Sequence, residues 1–178
     1  SGEKIVSIAC GNAFSAAVVG TSLLTWGKND CGQLGHGDLI KSETVLQPTF
    51  VDSFIDQIVT AVACGYAHTV ALNDKGEVFA WGSGSHGQLG FGKVDALIST
   101  KDFKQHTPNK VKFALFKKNV IAVACGTYHT VALTDAGHVF TWGLNDYGQI
   151  GNDSQSSVFE PYQVKGLLQE EHIVQIAA

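Results

Sequence analysis

One passage recurs three times along this chain, and a chain that repeats itself at a fixed period folds as an array of like units. The last copy, Val123 to Gly151, reads VACGTYHTVALTDAGHVFTWGLNDYGQIG. Before it come VACGYAHTVALNDKGEVFAWGSGSHGQLG, from Val62 to Gly90, and IACGNAFSAAVVGTSLLTWGKNDCGQLG, from Ile8 to Gly35. Cys10, Cys64 and Cys125 are 54 and 61 residues apart, and Trp26, Trp81 and Trp142 are 55 and 61 apart. The first copy is one residue short between Phe14 and Trp26, inside what reads as a hairpin. A fourth opens at Ile173-Val-Gln-Ile-Ala-Ala178, matching Ile5-Val-Ser-Ile-Ala-Cys10. The expected units are roughly 5–57, 58–119 and 120–172, with the fourth beginning at 173.

Each unit reads as four short strands. Ile58–Cys64 and Val120–Cys125 are apolar runs that end in Gly65 and Gly126. Thr69–Leu72 and Thr130–Leu133 run into the turn signals Asp74-Lys-Gly76 and Asp135-Ala-Gly137, and Val78–Trp81 and Val139–Trp142 return. A weaker fourth strand is expected after Pro48, Pro108 and Pro161, where an edge position tolerates the missing N–H. No convincing helix is present. Four strands per unit with glycine-marked turns specify an all-β fold, a β-propeller of four-stranded antiparallel blades. Propellers close with about 4–8 blades, so three blades and the start of a fourth form a partial ring. The rest is expected from missing sequence or another chain.

The combination A-C-G-x-x-H-T-x-A-L followed by G-x-V-F-x-W-G-x-N-x-x-G-Q-L-G resembles the repeat of the regulator of chromosome condensation family. It recurs in register over nearly the whole chain. The resemblance implies a seven-bladed propeller, of which about half a ring is visible. It also brings four functions to weigh: protein-interaction scaffolding in larger regulators such as ubiquitin ligases, nucleotide exchange on the small GTPase Ran, light sensing, and chromatin docking. Light-sensing members carry a tryptophan in G-W-R-H-T; here those positions read Gly65-Tyr-Ala-His-Thr69 and Gly126-Thr-Tyr-His-Thr130, so that function is set aside. In the founding exchange factor a wedge-like hairpin replaces one turn after Trp-Gly. All three turns here have the ordinary form, which leaves a wedge only to blades outside this chain. Chromatin docking relies partly on a basic tail and an arginine-bearing loop, and neither is present.

Composition narrows the classes further. Arginine and methionine are both absent from the 178 residues, and all twelve basic side chains are lysine. Bidentate guanidinium contacts to phosphate or guanine are therefore unavailable. The formal charge is −4, no apolar run reaches transmembrane length, and no signal peptide leads the chain. Ser1-Gly2 reads as a cloning remnant, and the chain as part of a larger intracellular protein of cytoplasm or nucleus. Cys10, Cys64 and Cys125 share one repeat position and are expected far apart, as small buried hydrophobes of a reducing compartment; Cys31 is expected on a turn. No C-x-x-C or other metal-ligand spacing appears, and no cofactor is expected.

The remaining motifs divide into structural and binding candidates. Gly82-Ser-Gly-Ser-His-Gly87 fits G-x-G-x-x-G, but the other copies place Asn29 and Asn145 where Gly84 stands, so Gly84 reads as a left-handed turn requirement. His68 and His129 share a position that is Phe14 in the first copy, which makes them packed rings rather than proton shuttles. Trp26, Trp81 and Trp142 are expected to fill the blade interfaces. Partner binding is assigned to two surfaces. One is the basic stretch 93–118, with seven lysines against Asp95 and Asp102; its candidates Lys101, Lys104 and His106 lie in the long connection Lys93–Thr107 and suit an acidic partner. The other is the set of turn tips after Trp-Gly, with Asp30, His86, Asp146 and Tyr147. A hydrolase or lyase would need clustered carboxylates or a nucleophile–base pair, and the pattern shows neither. Protein partners, including a small GTPase, are expected; nucleic acid and membrane are not.

Overall fold

Four antiparallel strands recur three times in the computed structural model, which describes residues 2–37, 42–92, 102–169 and 171–178. The first sheet is β1 (Ile5–Cys10), β2 (Phe14–Val19), β3 (Ser22–Lys28) and β4 (Thr44–Phe50), in that spatial order. The second is β5 (Val59–Cys64), β6 (His68–Asn73), β7 (Val78–Ser83) and β8 (Lys104–Lys110). The third is β9 (Val120–Cys125), β10 (His129–Thr134), β11 (Val139–Gly143) and β12 (Val158–Gln163). The first strands gather toward one axis, with β1 against β5 and β5 against β9. Helical structure among the described residues is limited to short 3-10 turns. The chain is thus an all-β propeller segment of three blades. Ile173 follows the third blade and joins it through its N–H to Gly137 O, as Val59 joins Thr21 and Val120 joins Gly76 in the earlier blades.

The core lies between the blades rather than within any one of them. Ala16, Val18, Leu23 and Phe54 of blade 1 pack on Val59, Val62, Ala71 and Trp81 of blade 2. Val70, Val78, Leu89 and Leu115 of blade 2 pack likewise on Val120, Ala132, Phe140 and Trp142 of blade 3. A sheet covered on both faces needs no polar alternation, which is why β6 carries the unbroken apolar run Val70-Ala71-Leu72 and is buried at all six positions. Trp81 and Trp142 are fully buried, each worth roughly 4–6 kcal/mol of apolar burial. Trp26 has no preceding blade in this chain and is only half-buried.

Each buried indole also donates to the blade before it. Trp81 Nε1–H bonds Gln33 O at 2.9 Å, and the Thr69 hydroxyl donates to the same carbonyl at 2.7 Å. One blade on, Trp142 Nε1–H and the Thr130 hydroxyl bond Gln88 O at 2.9 and 2.8 Å. The glutamine side chains turn back to accept the N–H of Cys31 and of His86, both at 2.8 Å. The glycines that follow must be glycine: φ is +80° at Gly35 and +72° at Gly90, and a Cβ would stand 2.7 and 2.8 Å from the next indole nitrogen.

The outer strands correct the expectation that they begin after the prolines. Pro48, Pro108 and Pro161 lie inside β4, β8 and β12. Between the pairs Thr25↔Thr49 and Gly27↔Val45, only Trp26 stands opposite three residues of β4, and the other blades repeat this bulge opposite Trp81 and Trp142. Proline is tolerated there because the bulge and the outer edge both remove the demand for a ladder N–H. The connection Lys93–Thr107 is correspondingly shorter than expected, since β8 begins at Lys104. The short first hairpin is as expected: Val19 pairs Ser22 across a two-residue loop led by Gly20 at φ +59°.

Gly84 is also corrected. Its φ is not positive, and neither is that of Asn29 or Asn145. The asparagines act through their side chains, which accept the N–H of Leu34 and of Ile150. At Gly84 a Cβ would strike Phe103, whose ring fills that space.

His68 is fully buried in the second interface, with Nε2 3.2 Å from Thr130 Oγ1. Thr130 spends its hydrogen on Gln88 O, so His68 donates from Nε2 and its Nδ1 is left without a partner. Burial, helped by neighbouring His129, pushes its pKa down to about 3. The ring stays neutral and does not shuttle protons.

Two outcomes follow from this contact. Thr130→Val strands the His68 N–H and should cost about 1–3 kcal/mol in urea unfolding, but clearly less in a His68→Phe background, where blade 1 shows a phenyl ring to be accepted. Unfolded His68 binds a proton below about pH 6.5, whereas the folded ring does not until about 3. Its contribution is therefore complete above 6.5 and falls by up to about 1.4 kcal/mol per pH unit below it. His68→Phe should flatten the acid limb of the stability curve; an unchanged limb would contradict this assignment.

Candidate interaction surface at the turn face

Antiparallel pairing places the β1–β2, β5–β6 and β9–β10 turns at the same end of the blades as the turns after Trp-Gly. This end is built on repeated backbone bonds. Asn12 N–H bonds Tyr66 O and Tyr66 N–H bonds Thr127 O, stepping from blade to blade around the axis. The carbonyls of Ala13, Ala67 and Tyr128 receive the N–H groups of Lys28, Ser83 and Leu144, which fixes the exit of each third strand. Those third strands leave through Gly27, Gly82 and Gly143 at φ near +100°, with a backbone carbonyl where a Cβ would be.

Two side-chain groups stand on this frame. At the first interface Lys28 Nζ pairs with Asp30 Oδ2 at 2.8 Å, Gln33 Nε2 donates to Asp30 Oδ1 at 3.1 Å, and Lys104 Nζ donates to Asp30 O at 3.0 Å. The Lys28 hydrogen bond holds the Asp30 carboxyl below its ordinary value, and the same bond raises Lys28. Burial raises the Cys31 thiol beside them. His106 lies against Gly32 and braces this turn, as Phe159 lies against Gly87 one blade on. At the second interface Tyr66, Tyr128 and His86 form an aromatic row, with ring centroids 5.5 Å apart for the tyrosines and 4.8 Å for Tyr128 and His86. The Ser85 hydroxyl lies 2.8 Å from His86 Nδ1 and orients the imidazole. Tyr66 is 44 % exposed.

The candidates chosen from sequence are thus partly united. Lys104, His106 and Asp30 meet at the first interface, and His86 joins the aromatic row. Asp146 and Tyr147 sit on the third turn, where Tyr147 is 92 % exposed. Lys101 lies outside the described residues. Tyr66 and Tyr128 escaped the sequence reading, although they occupy the two variable positions of G-x-x-H and both break the small-residue trend there.

The basic stretch 93–118 does not form one patch. Lys104 belongs to the turn face, whereas Lys110, Lys112, Lys117 and Lys118 lie at the opposite end of the blade. The cysteines are corrected as well. Cys10, Cys64 and Cys125 are free, and they converge on one axial opening of about 400 Å³ instead of lying far apart. First strands approach the axis, so equivalent positions on them approach one another. Burial pushes the Cys125 thiol up to about 12, which keeps it protonated. Among the described residues no three His, Cys, Asp or Glu side chains gather as a metal site, and no helix is long and apolar enough to cross a membrane.

Comparison with known proteins agrees with this architecture. The family model of the Regulator of chromosome condensation (RCC1) repeat matches residues 22–72, 75–133 and 136–178. E3 ubiquitin-protein ligase HERC2 of Homo sapiens is 35% identical over 100% of this chain, and Probable E3 ubiquitin-protein ligase HERC3 of Homo sapiens is 38% identical over 98%. The chain spans only 4% and 16% of those two proteins. Human WBSCR16 superposes with a TM-score of 0.82 at 31% identity, covering 98% of this chain and 44% of that one. Yeast RCC1 (Prp20), solved bound to Kap60, superposes at 0.81 with 22% identity over 96% of this chain and 39% of its own. With three matched repeats spread over most of its length, the chain belongs to the regulator of chromosome condensation (RCC1) repeat family.

Proposed function

We propose that this chain is a protein-binding module that reads its partner with the turn face, within a larger intracellular regulator of a ubiquitin-ligase or small-GTPase pathway. The observation that carries this reading is the aromatic row Tyr66–Tyr128–His86. Its rings project from backbone held by inter-blade and turn hydrogen bonds that do not use these side chains. An exposed Tyr66 beside a half-buried Tyr128 on a rigid frame gives large contact area for little ordering entropy. The Lys28–Asp30–Lys104 group beside them supplies charges for orientation and rejection of wrong partners. Tyr147, Asp146 and His106 extend the same face. The ubiquitin ligases among the relatives support the setting, as does the yeast RCC1 structure with a bound protein.

Nucleotide exchange on Ran is the second reading. It requires an element that prises at the nucleotide site, and each of the three turns keeps the same short form with a glutamine cap on the N–H two residues before it. Release of labelled GDP from Ran by the full-length protein decides between the two. Acceleration favours exchange, and an unaltered rate favours a binding module.

For the turn face, Tyr66→Ala with Tyr128→Ala should reduce partner recovery in pull-downs from full-length protein by about tenfold or more while folding is kept, as expected of aromatic hot spots. Asp30→Asn is the milder probe. Asp30 is half-exposed and its pair with Lys28 lies at the surface, so the change should cost no more than about 1 kcal/mol of stability, and a larger loss of binding then reports on the surface. Undiminished recovery with all three substitutions would remove the turn face from consideration.

A further inference from the structure

The other end of the blades carries the β2–β3, β6–β7 and β10–β11 hairpins and the connections that lead into the next blade. In blade 2 this end is hollowed into a cleft of about 350 Å³, between the hairpin around Lys75 and the connection 111–119. Lys75, Lys110, Lys112, Lys117 and Lys118 line it, against the single acid Glu77. Glu77 is already bound by Lys110 and by Asn73 Nδ2. Among the described residues no carboxylate pairs with the other four lysines. Beneath them the floor is apolar, formed by the buried Val78, Val111 and Leu115, with Phe116 66 % exposed at the rim.

Blade 1 supplies an internal control. Its equivalent hollow, about 300 Å³, keeps the apolar floor in Leu23, Val51 and Phe54 but has no lysine, and Asp52 stands where blade 2 has Lys112. The floor recurs because it is blade-to-blade packing. The lysines do not recur, so packing does not account for them. The backbone differs in the same place. Phe113 (φ +56°) and Lys117 (φ +60°) hold left-handed conformations that disfavour any side chain, whereas blade 1 has none in its connection and blade 3 uses Gly166.

We propose that the blade 2 cleft is a docking site for an acidic peptide segment, with glutamates or aspartates flanking one large apolar side chain. Four lysines without a carboxylate partner, two of them also 5.5 Å over the Phe116 and Phe140 rings, favour an occupant that brings negative charge, and the apolar floor favours one that brings an apolar group; a peptide offers both. Nucleic acid fits less well. The chain has no arginine for bidentate phosphate contacts, and its net charge of −4 does not gather a polyanion from a distance. This site stands apart from the turn-face reading, at the opposite end of the strands, and the two can fail separately.

The test is fluorescence anisotropy with full-length protein and a labelled peptide of eight residues, glutamates around one central leucine, with a single-stranded oligonucleotide as competitor. Saturable peptide binding is expected, weakened about tenfold by Lys112→Glu with Lys117→Glu, and weakened again when salt is raised from about 50 to 500 mM. Lys165→Glu, in the corresponding connection of blade 3, should leave it unchanged. Lys75→Glu with Lys118→Glu reads the cleft from its other side, and a wild-type melting transition shows that each variant is folded. Peptide binding absent at about 1 mM, equal binding by both folded charge-reversed pairs, or displacement by the oligonucleotide in preference to peptide would overturn the proposal.

Discussion

A single backbone carbonyl of one blade accepts two donors from the next, an indole N–H and a threonine hydroxyl, and most of the repeat follows from that convergence. The carbonyl belongs to a glutamine whose side chain caps its own turn, so neighbouring blade and turn set each other's geometry. The glycine two residues on cannot carry a Cβ, because the same indole passes over it. The threonine of the second interface also accepts from His68, and there the network ends in an orphan Nδ1. Stability in such an array resides in nearest-neighbour interfaces more than in single units. The matched repeats reflect this: each runs from the third strand of one sheet toward the second strand of the next, so the unit of sequence is a joint between blades.

Because the joint is satisfied by backbone, indole, threonine and glutamine, the tips of the turns are free to differ. Equivalent tip positions hold Cys31, His86 and Tyr147 above the same glutamine cap. Burial at these tips depends on the blade that follows. Phe159 covers the second turn and His106 the first, whereas a Cβ at Gly148 of the third would meet nothing within 4 Å. Recognition and closure therefore compete for the same few positions. A residue such as His106 that braces a neighbouring turn is a weaker binding candidate than the tyrosines, whose removal leaves the hydrogen-bonded frame intact.

Periodicity made the architecture legible from sequence, including the shortened hairpin of the first blade and the burial of Trp81 and Trp142. Whatever depended on the third dimension was harder to read. Pro48, Pro108 and Pro161 look like strand boundaries in one dimension, but a bulge opposite each tryptophan absorbs them. Gly84 and Asn29 look like alternatives for one backbone conformation, yet one makes room for Phe103 and the other spends its amide on Leu34. The three cysteines are expected far apart as equivalent positions of a radial array, yet inner-strand positions of such an array return to the axis. Tyr66 and Tyr128 sit at non-equivalent positions of their repeats, so alignment of copies hides a pair that geometry brings together.

The lysine-rich stretch shows most plainly how topology overrides sequence proximity. Lys104 and Lys110 open and close β8. At about 3.3 Å per residue the strand carries them roughly 20 Å apart, somewhat less after the bulge. Screening at physiological salt acts over about 8 Å, so the two ends do not share a field. One lysine steadies a turn by bonding Asp30 O, and the other helps line a cleft by engaging Glu77. A partner gripping the turn face leaves the cleft open to solvent, and an acidic segment in the cleft leaves the aromatic row uncovered. If both proposals hold, the same strand serves two partners at once, one at each end of the blades, with no conformational change required to pass between them.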